Sequence, residues 1–245
     1  MEKIAAIILA AGKGKRMNSK KANKVTVTLG NKQMILHTLD RLKELNIAPI
    51  IVVVGFAKES VMKILGNSVI FAEQSKRLGT AHAVTVALKK LPENVATVLV
   101  LNGDDSAFYT KETVENLITS HLKENADLSL LTIYVENPTG LGRVIRNEEK
   151  VTGIVEEKDA TEEMKRINEI NPGCYVFQVS FLKKYLKKIN KSPTTGEYYL
   201  TALIDIAIKN KQKINDVIGG KILWRGVNTQ EELKEAEKLF INIKN

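Results

Sequence analysis

The feature that most constrains the fold is a regular alternation of short apolar runs with amphipathic segments. Short runs rich in Ile and Val, bounded by turn residues, indicate strands buried on both faces. The first half contains five of them, predicted as strands at 4–9, 49–54, 68–71, 97–101 and 128–135. Helical spacing of apolar residues predicts helices between them, around 35–42, 60–65, 80–90 and 111–124. This alternation predicts an α/β fold with a doubly wound, mostly parallel sheet.

The second half has a different pattern. Two short apolar runs separated by polar residues predict a hairpin, and a later run is interrupted at Pro172-Gly173. The predicted strands are 143–145, 151–155, 169–177 and 214–218, and the predicted helices are 180–188, 200–210 and 230–241. We therefore expect a small antiparallel portion, and we divide the chain into one domain at 1–228 and a C-terminal helix at 229–245.

Composition excludes several classes of protein. The 245 residues are 44% hydrophobic and 27% charged, which is typical of a globular chain. The net charge is +9, but the lysines are scattered and only 5% of residues are aromatic, so we expect no nucleic-acid partner. The single cysteine, Cys174, cannot form a disulfide within the chain. No apolar run reaches the ~18 residues of a membrane span, and no signal peptide is recognised, so we expect a cytoplasmic protein without membrane contact.

The loop after the first strand carries the strongest chemical signal. It reads Ala-Ala-Gly-Lys-Gly-Lys-Arg over 10–16, and its small residues allow a ligand to approach the backbone. Main-chain N–H groups in such a turn form an anion site, and three cations lie within it. The spacing fits neither a Walker loop nor a dinucleotide loop, since Met17 stands where a third glycine is needed. A polyphosphate site is predicted, and the alternative is a basic surface turn.

The segment LAAGKGKRM, followed by Lys24-Val25, resembles the signature of sugar-phosphate nucleotidyltransferases, L-A-A-G-x-G-T-R-M and then P-K-V. Further segments narrow the resemblance to the uridylyltransferase domain of bacterial UDP-N-acetylglucosamine pyrophosphorylase. These are GLGR at 140–143, IVEEKDA at 154–160, EINPG at 169–173, GEYYLT at 196–201 and GVNT at 226–229. The chain departs from the family pattern at Lys15, Asn23, Ser106 and Ala202, where Thr, Pro, Pro and Asp are usual.

The physical chemistry of two further segments agrees with that resemblance. The Gln74 amide has a donor and an acceptor, as needed to pair with uracil, and Gly79-Thr80 follows at the family's spacing. Thr80 is also predicted as a helix N-cap. Asp104 follows the fourth strand, where a carboxylate can bind Mg²⁺ beside phosphates. The structural alternatives are a capped loop around Gln74 and a helix-capping aspartate at Asp104, a role that also suits Asp105.

The resemblance implies a full set of site residues. The implied catalytic residues are Arg16, Lys24 and Asp104. The implied nucleotide-binding residues are Leu9, Ala10, Ala11, Gly12, Gly14, Gln74, Gly79, Thr80, Asn102 and Gly103. The implied sugar-binding residues are Gly142, Glu156, Asn171, Tyr199 and Thr201. The implied Mg²⁺ ligands are Asp104 and Asn228, of which Asn228 precedes a capping box formed by Thr229 and Glu232.

The implied reaction joins UTP and N-acetylglucosamine 1-phosphate to give UDP-N-acetylglucosamine and pyrophosphate, with Mg²⁺ as cofactor. Two alternatives stay open. The first is transfer to another sugar 1-phosphate, such as glucose 1-phosphate, and the second is a nucleotide-sugar-binding regulator without turnover. The β-helix acetyltransferase domain of bifunctional relatives is not expected in this chain, and the sequence leaves the oligomeric state open.

Overall fold

A computed structural model describes residues 3–14, 22–104, 106–219, 224, 226–227 and 229–244, with the backbone alone for 241–244. Three residues of the predicted site or its neighbourhood, Arg16, Asp105 and Asn228, lie outside the described residues.

The first half forms the strands and helices that its apolar pattern predicts. Its elements are β1 Ile4–Ala10, β2 Thr28–Leu29, β3 Lys32–Gln33, α1 Met34–Glu44, β4 Ile50–Val54, α2 Lys58–Leu65, β5 Ile70–Glu73, α3 Thr80–Leu88, β6 Thr97–Asn102, α4 Lys111–Glu124 and β7 Leu128–Tyr134. Each predicted strand and helix is present within a few residues of its predicted bounds. The two-stranded hairpin of β2 and β3 was not predicted, because its strands are too short to show a period.

The second half contributes strands to the same sheet and three helices. Its elements are β8 Gly142–Asn147, β9 Lys150–Val155, β10 Glu169–Asn171, β11 Cys174–Gln178, α5 Val179–Tyr185, α6 Ala202–Lys209, β12 Ile214–Ile218 and α7 Gln230–Lys244. The predicted hairpin is β8 with β9. The predicted interruption at Pro172-Gly173 separates β10 from β11.

The sheet places β1 at the point where strand order reverses. Four neighbours, β5, β4, β1 and β6, are all parallel, with Ile7 beside Ile51 on one side and Val100 on the other. β11 is antiparallel to β6 and β7, while β12 is parallel to β7. The doubly wound α/β prediction is confirmed, and each antiparallel pair of this sheet includes a strand of the second half. Ligands in such sheets bind beyond the carboxyl ends of the strands, where the order reverses.

Both faces of the sheet are covered, which explains the uninterrupted apolar runs of its strands. In β1, Ala6 and Ile8 face a core shared with α1, α2, α4 and α7, while Ala5 and Ile7 face a core shared with α3, α5 and α6. All four side chains are fully buried. Alternating residues of one strand therefore hold two helical layers and fix β1 rigidly beneath the loop that follows it.

The C-terminal helix α7 packs back onto the first half. The Phe240 ring lies edge-on to His37, with centroids 4.6 Å apart, and to Phe108 at 6.1 Å. The helix begins with the predicted capping box, in which the Glu232 main-chain N–H donates to Thr229 Oγ1 at 3.1 Å and the Thr229 N–H donates to Glu232 Oε2 at 3.2 Å. These contacts hold the C-terminal helix against α1 and the segment after β6.

No helix within the described part of the chain is both long and apolar enough to cross a bilayer.

Candidate active site

A cleft of about 740 Å³ opens at the carboxyl ends of β1, β5 and β6. Its walls collect segments that are far apart in the sequence, as expected where strand order reverses. Of the predicted site residues, the structure places these on the cleft lining: Leu9, Ala10, Ala11, Gly12, Gly14, Lys24, Gln74, Gly79, Thr80, Asn102, Asp104, Gly142, Glu156, Asn171, Tyr199 and Thr201. Gly103 is not on the lining. Its N–H donates to Leu9 O at 3.0 Å, and a Cβ there would lie 3.1 Å from Val25, so it allows close packing beneath the loop.

Lys24 and Asp104 meet on the cleft lining. Lys24 opens a short 3₁₀ turn, Lys24–Thr26, which is capped by the Asn23 side chain. Asp104 follows the buried strand β6. The Lys24 Nζ contacts Asp104 Oδ2, and the two side chains are only 11% and 21% exposed. A cation and a carboxylate are thus held together between the first loop and the loop after β6.

The loop after β6 is held by Ser106, one of the departures from the family pattern. Its hydroxyl donates to the Asn102 carbonyl and lies 2.6 Å from Thr38 Oγ1. Ser106 and Thr38 are both buried. A proline would restrict this turn through its ring, whereas here two side-chain hydrogen bonds hold it. Asp104 is therefore presented on a loop that is fixed on both sides.

Gln74 is held by protein contacts that leave one group for a ligand. Its side chain is 4% exposed, and Nε2 donates to Gly79 O at 3.0 Å and lies 3.0 Å from His82 Nδ1. With both amide hydrogens used, His82 Nδ1 is the acceptor of the second. The described part of the chain supplies no partner for Oε1. The amide therefore offers the cleft an acceptor rather than the donor and acceptor that the sequence suggested.

Thr80 is not the helix N-cap that the sequence predicted. The N-cap of α3 is Gly79, without a side-chain bond, and Thr80 is the first helical residue. The Thr80 hydroxyl instead accepts a hydrogen bond from the Leu200 main-chain N–H at 2.8 Å. A partner 120 residues away, unknown to local sequence analysis, replaces the local cap.

The segments around Gly79 and Tyr198 are joined by main-chain hydrogen bonds. The Tyr198 N–H donates to Leu78 O at 2.8 Å, and the Ala81 N–H donates to Tyr198 O at 3.0 Å. Gly79 has φ +105°, and a Cβ there would lie 2.5 Å from Tyr198 O. Only glycine allows this approach. The predicted base-binding loop and the predicted sugar-binding loop are thus one bonded unit.

Glu156 and Thr201 form a polar pair on the cleft wall. The Thr201 Oγ1 donates to Glu156 Oε1 at 2.9 Å. Burial raises the pKa of the Glu156 carboxyl, and the hydrogen bond from Thr201 opposes that shift. A Cβ at Gly142 would lie 3.6 Å from Glu156 Oε2, so glycine keeps the space in front of this oxygen open. The second carboxylate oxygen is the group here that can accept from a ligand hydroxyl.

Asn171 and Tyr199 complete this wall. Asn171 Oδ1 accepts from the Gly173 N–H at 3.1 Å, and its Nδ2 donates to the Tyr175 hydroxyl. The Tyr199 hydroxyl lies 2.7 Å from Thr195 Oγ1, and burial raises the pKa of the Tyr199 phenol. These bonds orient both side chains before a ligand arrives.

Residues outside the predicted site also line the cleft, among them Arg77, Lys158, Tyr175, Glu197 and Trp224. Lys158 and Glu197 lie within two of the recognised segments, so the signal for them was present. Arg77 lies between Gln74 and Gly79 and could have been found as a cation in the base-binding loop. Tyr175 and Trp224 are largely apolar side chains, so the sequence does not indicate that they line the cleft.

The residues at Asp104 fit a magnesium ion. No cluster of three or more His, Cys, Asp or Glu suited to a metal occurs among the described residues. Mg²⁺ does not require one, since it is usually held by one or two protein oxygens together with phosphate and water. The Asp104 carboxylate supplies a hard oxygen on the cleft lining. It lies beside the Lys24 ammonium, which favours phosphate binding at the same place. The proposed second ligand, Asn228, lies outside the described residues.

Known proteins resemble this chain over nearly its whole length. A bifunctional protein GlmU from Caldanaerobacter subterraneus is 41% identical over 241 residues, covering 98% of this chain and 52% of the relative. The GlmU of Caldicellulosiruptor saccharolyticus is 43% identical over 248 residues, covering 98% and 53%. The chain thus spans about half the length of these relatives.

A solved structure has the same fold. The crystal structure of a Bacillus anthracis protein, named as a glucose-1-phosphate thymidylyltransferase and bound to sucrose, superposes with a TM-score of 0.81. It covers 96% of this chain and 94% of its own, at 22% identity, and at that identity the likeness concerns the fold alone. The sequence matches the family described as Nucleotidyl transferase over residues 5–242, and together with the cleft and its fixed cation and carboxylate this shows that the chain belongs to that family.

Proposed function

We propose that the protein transfers a uridylyl group from UTP to N-acetylglucosamine 1-phosphate, giving UDP-N-acetylglucosamine and pyrophosphate. The observation that carries the proposal is that the Lys24–Asp104 pair lines the same cleft as two further sets of polar groups. These are the Gln74 amide, and the Glu156 carboxylate with the Asn171 amide. The resemblance to GlmU over 98% of the chain supports the same pairing of substrates.

The chemical step needs positioning and charge neutralisation more than proton transfer. A phosphate oxygen of the sugar phosphate attacks the α-phosphorus of UTP in line, and the bond to the β-phosphate oxygen breaks to release pyrophosphate. A phosphate monoester has a second pKa of about 6, so the nucleophile is already ionised at neutral pH. No side chain has to remove a proton. The Lys24 ammonium lies where charge accumulates in the transition state, and main-chain N–H groups of the first loop assist it.

The proposed reaction includes Mg²⁺, for which the chain itself supplies ligands. Asp104 would hold the ion, together with Asn228, and a bound Mg²⁺ would supply further neutralisation of the phosphates. Arg16 is proposed as a second phosphate cation. Lys24 contacts Asp104, so the two groups keep each other in place.

The Gln74 acceptor suits uracil rather than cytosine. Uracil has an N–H at position 3, whereas cytosine has a lone pair there. The Oε1 atom of Gln74 can accept from the first and is repelled by the second. Orientation of the amide by Gly79 and His82 prevents it from turning to present a donor.

The departures from the family pattern do not favour the regulator without turnover. Ser106 holds the Asp104 loop by two hydrogen bonds, and Asn23 caps the turn that carries Lys24. Ala202 begins α6 directly after Thr201, whose hydroxyl bonds to Glu156. Ser106 and Asn23 thus hold their loops by hydrogen bonds where the family has proline, and Lys15 lies outside the described residues.

The experiment that tests the proposal is pyrophosphate release over a matrix of nucleoside triphosphates and sugar 1-phosphates, with Mg²⁺. We expect the pair of UTP and N-acetylglucosamine 1-phosphate to give the highest kcat/KM. A higher value with glucose 1-phosphate would replace the sugar assignment. Binding of UDP-N-acetylglucosamine without release of pyrophosphate from any pair would replace the enzyme by a regulator.

A further inference from the structure

Asn23 forms an unusual concentration of hydrogen bonds behind the cleft. It is 1% exposed, and it stands where the family pattern has proline. Its side-chain Nδ2 donates to Ala10 O at 2.8 Å and Phe56 O at 2.8 Å, with Gly12 O at 3.3 Å. Proline has no donor and could make none of these bonds.

The remaining polar groups of Asn23 face the turn that carries Lys24. Its Oδ1 accepts from the Val25 N–H at 3.1 Å, and its carbonyl accepts from the Thr26 N–H at 3.0 Å and from Thr26 Oγ1 at 2.7 Å. Its own N–H donates to Ser60 Oγ at 3.0 Å. One residue therefore joins the first loop, the end of β4 and the Lys24 turn.

These bonds fix the direction of two peptide units in the first loop. In a trans peptide the C=O and the following N–H point in opposite directions. With Ala10 O and Gly12 O directed to Asn23, the N–H groups of Ala11 and Lys13 point away from it. Both residues line the cleft. A reversal of either peptide unit would put a carbonyl oxygen where a phosphate needs a donor.

We propose that Asn23 is a positioning residue for nucleotide phosphates. Through its side-chain amide it holds the first loop in its phosphate-binding form and ties that loop to Lys24. The role rests on the proposed function, because it assumes that the triphosphate of UTP binds to this loop. It does not require Asn23 to touch the substrate.

The sharpest variant is Asn23→Asp, which keeps the shape and the acceptor for the Val25 N–H but replaces the donor by an acceptor. Two carbonyl oxygens would then face a carboxylate oxygen. We expect the Kd for UTP with Mg²⁺, measured by calorimetry, to rise by about 10- to 100-fold, the range seen when partners that orient a site are removed. The KM for the sugar phosphate should change less than about twofold, since Glu156 and Asn171 are outside this network.

A pH series separates this role from a general loss of stability. A carboxyl buried among carbonyls gains a donor when it is protonated. The Kd of Asn23→Asp relative to that of the natural protein should therefore fall as pH is lowered from 8.5 to 6. A ratio that stays constant over this range would overturn the proposal.

Two controls complete the experiment. Asn215→Asp is the matched change, because Asn215 Nδ2 also bridges two segments, donating to Ser120 Oγ at 2.9 Å and Ser129 Oγ at 3.3 Å, away from the cleft. It should leave the Kd for UTP within twofold. Asn23→Pro fits the backbone dihedral, since φ is −73°, but it also removes the main-chain bond to Ser60 Oγ; it serves if the Asp variant does not fold. It should weaken UTP binding as well, and a Kd equal to that of the natural protein would show that the amide is not needed.

Different results would contradict the proposed function and the proposed role of Asn23. A natural protein that binds UTP but releases no pyrophosphate contradicts the enzyme, while the Kd series still tests Asn23. A natural protein that binds no UTP contradicts both. Normal turnover and an unchanged Kd in Asn23→Asp contradict the role of Asn23 alone.

Discussion

Lys24 Nζ contacts the Asp104 carboxylate at the junction between the first loop and the loop after β6. Neither residue is free to move far, because the Asn23 cap holds the Lys24 turn and Ser106 holds the Asp104 loop. The pair therefore fixes the distance between the two loops at the place where phosphates are proposed to bind. Its disruption should affect chemistry before it affects the fold.

Asp104→Asn keeps the size of the side chain and removes the charge that attracts both Lys24 and a metal ion. We expect turnover to fall by about 10²–10³, the loss typical of one electrostatic contact to the transition state. Thermal stability should change less than turnover, because the Asn amide oxygen can still accept from the Lys24 ammonium in this mostly buried contact. The measurement is pyrophosphate release as a function of Mg²⁺ concentration.

The comparison for that variant is Asp105→Asn, which removes the same charge from the adjacent residue. We expect it to keep most of the turnover, since a helix-capping role suits Asp105. If Asp105→Asn is the inactive variant, the metal ligand is one residue further along. Normal turnover in both variants would place the metal elsewhere.

Base selectivity should depend on Gln74. Gln74→Ala removes the acceptor proposed for the uracil N–H, so the preference for UTP over CTP should narrow by about tenfold, as for loss of a buried hydrogen bond of 1–3 kcal/mol. The check is the ratio of kcat/KM for the two nucleotides, with the KM for the sugar phosphate as internal reference. His82→Leu removes only the group that orients the amide and should narrow the ratio less. An unchanged ratio in Gln74→Ala would remove this residue from the base site.

Substituting Gly79 should disturb the contact between the Gly79 segment and the Tyr198 segment. Gly79→Ala places a Cβ 2.5 Å from Tyr198 O at φ +105°, so the bonded unit of the two loops must shift. We expect a lower melting temperature and higher KM values for both substrates. Gly196→Ala is the matched control, since its φ is +71° and nothing lies within 4 Å of the added atom. The control should cost about 1–3 kcal/mol of backbone strain without a clash, and an equal effect of both variants would show that the contact with Tyr198 is unimportant.

The strands, the helices and most positions on the cleft lining could be predicted from the sequence because they depend on local patterns. The Ile- and Val-rich runs give β1, β4 and β6, and the glycines and polar residues after them give the loops. What could not be predicted are partners distant in sequence. The Thr80 bond to Leu200 replaces a local cap, and the Asn23 bonds depend on Phe56 and Ser60, which no pattern around Asn23 reveals. Trp224 likewise lines the cleft, and no sequence pattern indicates that position.

Trp224 provides a direct optical test of the cleft. It is the only tryptophan in the chain, it lines the cleft, and it is 6% exposed. Binding of UTP or of the sugar phosphate should therefore change its fluorescence with a saturable dependence on concentration. Trp224→Phe should abolish the signal while calorimetry still detects binding. If calorimetry detects binding of a ligand that leaves the fluorescence unchanged, that ligand binds away from Trp224.

The Glu156 carboxylate should lower the stability of the fold at neutral pH and contribute to sugar binding. Burial raises the pKa of this carboxyl in the folded protein, so the folded state binds a proton more tightly than the unfolded state does. Its contribution to stability is then present below the unfolded pKa of about 4.3 and is lost as pH rises through the raised folded value. Glu156→Gln cannot ionise and still accepts from Thr201 at the amide oxygen, so it should melt at a higher temperature than the natural protein at pH 7. The difference should shrink as pH falls toward 4.3, and thermal unfolding across this range measures it.

The same variant should raise the KM for the sugar phosphate by about tenfold, because an amide N–H replaces the second acceptor for a hydroxyl. If Glu156→Gln is less stable at pH 7 but binds the sugar phosphate normally, the carboxylate belongs to the wall and does not bind the ligand.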